Sequence, residues 1–376
     1  MVRSVLMLAL VAATAGAQTI VDPARLSRVA RDFAPGEHEA RLRCDVTPLH
    51  PALNFGFRFQ AGYVVRVPMS QYSGPGHAWV FVTRITPEGG QPVYLAGRAR
   101  LPSVPPTRAE LEAGGVYLLG EGRYRVAWKI SDDSGRVCRK EWNIDASLRH
   151  SERNVKVALP PGAVTDFSLH GVARAEDLKD DAAPIRLTVL LHAAPISPRR
   201  TRVGARDRGL LLGALSSLLE RVPVRSVRLV VFNLDQQREL YRQEGFTLQS
   251  FGRMAQSFDT LQLDLVDYRV LQKRSGHLDL LADLVNGELK AREPSDVVLF
   301  LGPLARFTEK VPSQELETPQ GSPPRFYYLQ CRQFFGMAPA ALPDSISRAV
   351  ARMKGKTIII NSPGDLAKGI DQIERK

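Results

Sequence analysis

A chain of 376 residues has the length of two domains, and 44% hydrophobic residues give each half enough apolar side chains for a core. The formal charge of +12 comes from 51 basic against 39 acidic residues, and the excess is shared by both halves. That even spread excludes a dedicated basic arm for nucleic acid; it implies a generally cationic surface, which serves solubility as well as attraction to acidic partners.

Residues 1–17 read as a secretory signal peptide. Arg3 supplies the positive start, Val5 to Ala13 the apolar core, and Ala15-Gly16-Ala17 the small-x-small cleavage site. Gln18 is then the first mature residue. The apolar run is too short to span a bilayer, and no later segment approaches 18 apolar residues. The expectation is an exported protein without a membrane span, periplasmic or extracellular.

Residues 18–39 form an N-terminal segment with a short helix expected over Asp22–Arg31. From 40 to 150 the pattern is of short strands, several of them alternating apolar and polar residues. They are Arg41–Val46, Gly62–Val67, Ala78–Thr83, Pro92–Ala96, Gly122–Ile130 and Arg136–Trp142, with a hairpin turn at Asp132–Gly135. Short strands with Gly and Pro turns predict an all-β sandwich, immunoglobulin-like in class. Trp79, Trp128 and Trp142 are assigned to its core. Export permits disulfides, and Cys44 and Cys138 fall in this one β domain, so they are paired. Cys331 is left over in the apolar strand Phe326–Cys331 and reads as a buried, inert thiol.

Residues 151–183 read as a linker, with Pro160-Pro161-Gly162, a charged run Arg174–Asp181 and one further strand, Asn154–Leu159. The span 184–376 alternates buried strands with amphipathic helices. Strands are expected at Arg186–His192, Val227–Asn233, Asp296–Gly302, Phe326–Cys331 and Lys356–Asn361. Helices are expected at Asp207–Arg221, His277–Lys290, Pro343–Met353 and Pro363–Glu374, and an exposed loop at Glu309–Pro324. Such alternation predicts an open α/β sheet of Rossmann type, mostly parallel, with helices on both faces.

Over 185–376 this order is similar to that of a von Willebrand factor A-type domain. Leu187–His192 resembles the first strand, which in that family ends in an Asp-x-Ser-x-Ser metal motif. Val227–Asn233 resembles the second strand, and Ser275–Ala282 the Gly-Gly-Thr segment that opens the next helix on the metal side. Asp296–Pro303 resembles the strand that ends in Thr-Asp-Gly. The resemblance implies Mg²⁺-dependent ligand capture, which needs hard oxygen ligands. The aligned positions instead carry His192, Ala194, Ile196, His277 and Gly302. A degenerate domain with no Mg²⁺ site and no cofactor is therefore expected. Two histidines are half of a Zn²⁺ or Cu²⁺ site, but no third ligand is evident, and packed or hydrogen-bonded rings are the plainer reading.

The loop after the first strand carries Arg199, Arg200, Arg202, Arg206 and Arg208. It lies between a strand end and a helix start, where open α/β sheets bind ligands. It reads either as a solvated loop or as a grip on a carboxylate, phosphate or acidic surface. No Gly-x-Ser-x-Gly elbow, His-Glu-x-x-His pair or phosphate-cradling Gly loop is present, so no enzyme is expected. The functional expectation is a non-enzymatic interaction or scaffold module. Its candidate binding residues are these five arginines with His192 and His277, and its expected partner is another exported or cell-envelope protein with an acidic surface. The alternative is a cell-envelope polyanion or glycan binder.

Overall fold

The computed structural model describes residues 18–27, 31–34, 36, 39–101, 103, 107–167, 184–197, 200–261, 263, 268–317, 322–332 and 343–374. The signal-peptide expectation and the charged run Arg174–Asp181 lie outside them. The protein is rich in β-structure, with three sheets divided between two compact units. Unit 1 comprises the chain up to Leu53, Arg58–Leu148 and Val157–Gly171; unit 2 comprises Asn54–Phe57, Arg149–Lys156 and Val172–Lys376.

Unit 1 holds β1 (Thr19–Val21), β2 (Asp45–Leu53), β3 (Phe59–Pro68), β4 (Ala78–Pro87), β5 (Val93–Arg100), β6 (Glu110–Leu119), β7 (Gly122–Asp132), β8 (Val137–Ala146) and β9 (Val164–Asp166). One antiparallel sheet runs β1-β5-β4-β7-β8, the other β2-β3-β6-β9, and they form a sandwich-like pair. Alternate residues of β4, namely Trp79, Phe81, Thr83 and Ile85, point inward and are buried. Trp79 and Phe81 meet Tyr63, Val65 and Val67 of β3 and Trp128 and Ile130 of β7 in one apolar cluster. The rings of Tyr63 and Trp128 lie 5.0 Å apart. Trp142 is half-buried and packs at the margin of this cluster. Cys44 and Cys138 form a disulfide, with Cα atoms 6.3 Å apart.

Several unit 1 elements depart from the sequence-based expectation. The strand expected at 41–46 begins at Asp45 and continues through Pro48 and Pro51 to Leu53. It tolerates both prolines because β2 is an edge strand, and the ladder shifts register between Leu49 and Ala52. Strand β6 was hidden by Gly114-Gly115. A Cβ on Gly115 would stand 2.8 Å from the Tyr63 hydroxyl, so the close crossing with β3 demands glycine there. Asn154–Leu159 is not a strand, despite its alternation. Pro160-Pro161 ends it without N–H donors, Arg221 donates to the Lys156 carbonyl, and the ladder is completed by β9 instead. The helix expected at Asp22–Arg31 is a single 3₁₀ turn at Pro23–Arg25 capped by Asp22; residues 28–30 lie outside the described set.

Unit 2 is built on a six-stranded sheet of β10 (Ile185–His192), β11 (Val224–Asn233), β12 (Arg238–Gln243), β13 (Val297–Pro303), β14 (Arg325–Cys331) and β15 (Lys356–Ile360). Its order is β12-β11-β10-β13-β14-β15, and all pairs are parallel except antiparallel β11–β12. The helices are α1 (Ala205–Arg221), α2 (Phe251–Gln256), α3 (Tyr268–Gln272), α4 (Gly276–Leu289), α5 (Ser345–Arg352) and α6 (Pro363–Glu374). Leu190, Val230, Phe232, Val298, Phe300 and Tyr328 pack with Leu281 and Val285 of α4 and Ile346 and Val350 of α5. On the opposite face α1 and α6 pack together, and Gly369 of α6 approaches Leu329 and Ile358. With both faces covered, strands such as β13 are buried along their whole length. Strand β12 escaped the sequence reading because Arg238-Glu-Leu-Tyr-Arg-Gln243 carries the charges of a solvated edge. Cys331 is buried, and its burial pushes the thiol up to about 12, as an inert cysteine requires. Among the described residues, no helix is long and apolar enough to cross a membrane.

The disulfide closes a loop with a sequence separation of 94. Chain entropy assigns such a loop about 4–5 kcal/mol. Replacing Cys44 and Cys138 together by Ala should lower the stability of unit 1 by about 2–5 kcal/mol, read as a fall in the denaturant midpoint. An unchanged midpoint would mean that the bond restrains nothing.

Candidate interaction face at the strand ends

In unit 2 the strand order reverses between β10 and β13, and open α/β sheets offer their crevice at the carboxyl ends of such a strand pair. Here the described residues that end β10 and β13 are buried. His192 ends β10 and is buried, with its ring stacked on Phe232 at 5.3 Å. Its Nδ1 faces the Pro303 carbonyl at 3.4 Å. A Cβ on Gly302 would stand 2.7 Å from both the Cβ and the carbonyl oxygen of His192, so glycine is what lets β13 end against this ring. Ala194 and Ile196 follow, buried as well.

Polar side chains tie the other strand ends. Asn233, fully buried at the end of β11, donates from Nδ2 to the Ala193 carbonyl at 2.7 Å and accepts from the Gln236 amide at 2.7 Å. Asp344 caps α5 by accepting from the Ser347 amide at 2.8 Å and reaches the Ala305 amide at 2.7 Å. The Tyr328 hydroxyl donates to the Pro303 carbonyl at 2.6 Å.

Between β10 and α1 the arginine-bearing loop is folded around Asp207, which is 3% exposed. Its carboxylate accepts from the Ile196 amide at 3.3 Å and from the Gly204 amide at 2.9 Å. These bonds place a negative charge at the start of α1 and close the loop onto it. Arg200, Arg202 and Arg206 are exposed, and Arg208 is half-buried. Arg199 lies outside the described residues. The Arg200 carbonyl accepts from Arg306 at 2.6 Å, and Arg208 pairs with Asp259 at 2.6 Å. Arg202 and Arg206 are also engaged in interactions. The loop is thus a built structure in which part of the positive charge is already answered.

His277 opens α4, buried at 4% exposure and stacked on Phe307 at 3.9 Å. Glu309 approaches its Nε2 at 3.6 Å. Nε2 of His192 and both ring nitrogens of His277 are buried without a hydrogen-bond partner among the described residues. Burial holds the His192 imidazole below its ordinary range, against the pull of Asp235 and Asp344. Among the described residues, no group of three or more His, Cys, Asp or Glu side chains comes together that could hold a metal ion. Sequence reasoning missed Asp207, Asn233 and Asp344. Asp207 left a signal, a carboxylate three residues after the Gly204 that starts the helix, whereas the long-range bonds of Asn233 and Asp344 leave none.

At the far end of α4, Glu288 is 2% exposed and accepts from the Thr188 hydroxyl at 2.7 Å and from Arg228 at 2.8 Å. This network pins the helix to β10 and β11 beside an open cleft of about 340 Å³.

No family model matches the chain, and no curated protein matches it. Two solved structures share 16% identity with it, each over 30% of this chain. One is a Northeast Structural Genomics Consortium target, 95% covered with a TM-score of 0.19. The other is a candidate ApaA protein from Bordetella pertussis, 98% covered with a TM-score of 0.21. Likenesses of that size identify neither a family nor a function.

The buried imidazole has a consequence for pH. Its folded pKa is depressed below the ordinary 6.5, so below that pH the unfolded chain binds the proton more readily. The stabilisation is complete above 6.5 and is lost as pH falls toward the folded value. Wild-type stability should therefore decline through this window by up to about 1.4 kcal/mol per pH unit relative to His192→Gln, measured by urea unfolding from pH 7.5 to 5. Parallel pH profiles would show that the ring is not held neutral.

Proposed function

We propose that this chain is an exported, non-enzymatic interaction module. In this reading unit 1 is an immunoglobulin-like sandwich, and unit 2 is a von Willebrand factor A-like domain that captures an acidic partner without a metal. The observation that carries the reading is the loop folded around Asp207, which presents Arg200, Arg202 and Arg206 to solvent at the strand ends. The positions where the resembling family has oxygen ligands support it too. His192, Ala194, Ile196, His277 and Gly302 are all buried, and none offers a side-chain oxygen. Exposed arginines at such a face prefer acidic surfaces, because Arg forks match carboxylates. A disulfide fits an oxidising compartment.

Changing Arg199, Arg200 and Arg202 together to Glu tests this. Capture of the partner from cell-envelope extract should fall at least tenfold, in chelator as in Mg²⁺, while the melting temperature stays within a few degrees. Undiminished capture by the folded triple variant would make the loop mere surface. Captured material that is glycan or another polyanion, released steeply as salt rises, would favour the polyanion-binding alternative.

A further inference from the structure

A lysine on the outer face of a sheet is normally exposed, yet Lys129 of β7 is only 4% exposed. The register explains where it lies. Ala96, Val82, Lys129 and Arg139 form one cross-strand row, and Tyr94, Arg84, Ala127 and Glu141 form the next. Both rows face away from the core that holds Phe81 and Trp128. The N-terminal segment lies over them. Phe33 is 9% exposed and packs with Val82 and Ala127, flanked by Leu26 and Tyr94. The Arg84 guanidinium stands 4.7 Å from the centre of its ring and the Lys129 ammonium 5.1 Å. Lys129 also donates to the Asp32 carbonyl at 2.5 Å. Glu39 forks onto Arg139 through both oxygens.

Apart from the Asp32 carbonyl held by Lys129, the main-chain hydrogen bonds described for residues 31–39 are local: Arg31 to Ser27, Ala34 to the Asp32 carboxylate, and Gly36 with Glu39. Among its described residues, the segment joins the ladder at Ala40 and Arg41. It is therefore held on the face by an aromatic ring between two cations and by a carboxylate fork, as a bound peptide would be.

We propose that this outer face is a peptide-binding surface, occupied in cis by Asp32, Phe33 and Glu39 of the N-terminal segment as a displaceable internal ligand. Its partner is a segment of another protein with the same chemistry: an aromatic residue beside a carboxylate, followed about six residues on by a second carboxylate. Displacing the segment leaves Arg84, Lys129 and Arg139 clustered around an apolar floor of Val82 and Ala127. That cluster favours an acidic occupant over water or a basic one.

The probe is a fluorescein-labelled synthetic peptide of residues 31–40, titrated into the full mature chain and read by anisotropy. The double variant Phe33→Ala/Glu39→Gln should bind it at least tenfold more tightly than wild type, whose face is already filled. A peptide carrying the same two changes should bind neither protein. Acetylation of Lys129, followed by mass spectrometry, supplies a second readout: slow in wild type, fast in the variant, and slow again when peptide is added. Equal binding by wild type and variant, no binding by a folded variant, or labelling that peptide does not suppress would each overturn the proposal. If the double variant loses its cooperative melt, Glu39→Gln alone takes its place under the same criteria.

Discussion

Asp207 is the point on which the candidate face of unit 2 depends. A carboxylate buried at 3% exposure is tolerated only when its lone pairs are answered, and here the amides of Ile196 and Gly204 answer them. Charge-assisted hydrogen bonds of this kind contribute about 1.5–3 kcal/mol each. One answers the amide of Gly204, the N-cap of α1, and the other ties Ile196 to the helix start. Arg200 and Arg202, between them in the chain, are left exposed. Without this carboxylate the same residues would be a charged loop with no preferred shape, and a partner would have to supply the ordering cost.

A second constraint acts beside the first. Gly302 permits β13 to end against His192, whose buried imidazole stands at the strand ends where an open α/β sheet ordinarily binds a ligand. Around it stand the loops that follow the strands, one of them held by Asp207. The buried networks of Asn233 and Asp344 fix the neighbouring strand ends, so those loops stand on a rigid base.

Much of the architecture was legible in residue pattern. The alternation of Trp79, Phe81, Thr83 and Ile85 marks a half-buried strand, and the unbroken Val297–Leu301 marks one covered on both faces. The shared β domain of Cys44 and Cys138 was enough to pair them. What failed to show depends on distant partners. Gly114-Gly115 reads as a break until Tyr63 is known to cross it, and the prolines of β2 read as breaks until it is known to be an edge. The candidate site was legible as charge, through its arginines, but not as structure. The burial of His192 and His277 and the bonds of Asp344 arise from residues far apart in the chain. The pairing of Arg208 with Asp259 was equally invisible, and it moderates the repulsion that five neighbouring arginines imply.

The central claim is that the strand-end face of unit 2 is where this protein meets its partner. Hydrogen–deuterium exchange of the full chain, with and without the protein it captures most strongly, puts this to the test. The account predicts new protection over residues 197–208 and 304–309, with the ladder of unit 1 unchanged. Protection confined to unit 1, with the Asp207 loop exchanging as fast as before, would contradict it.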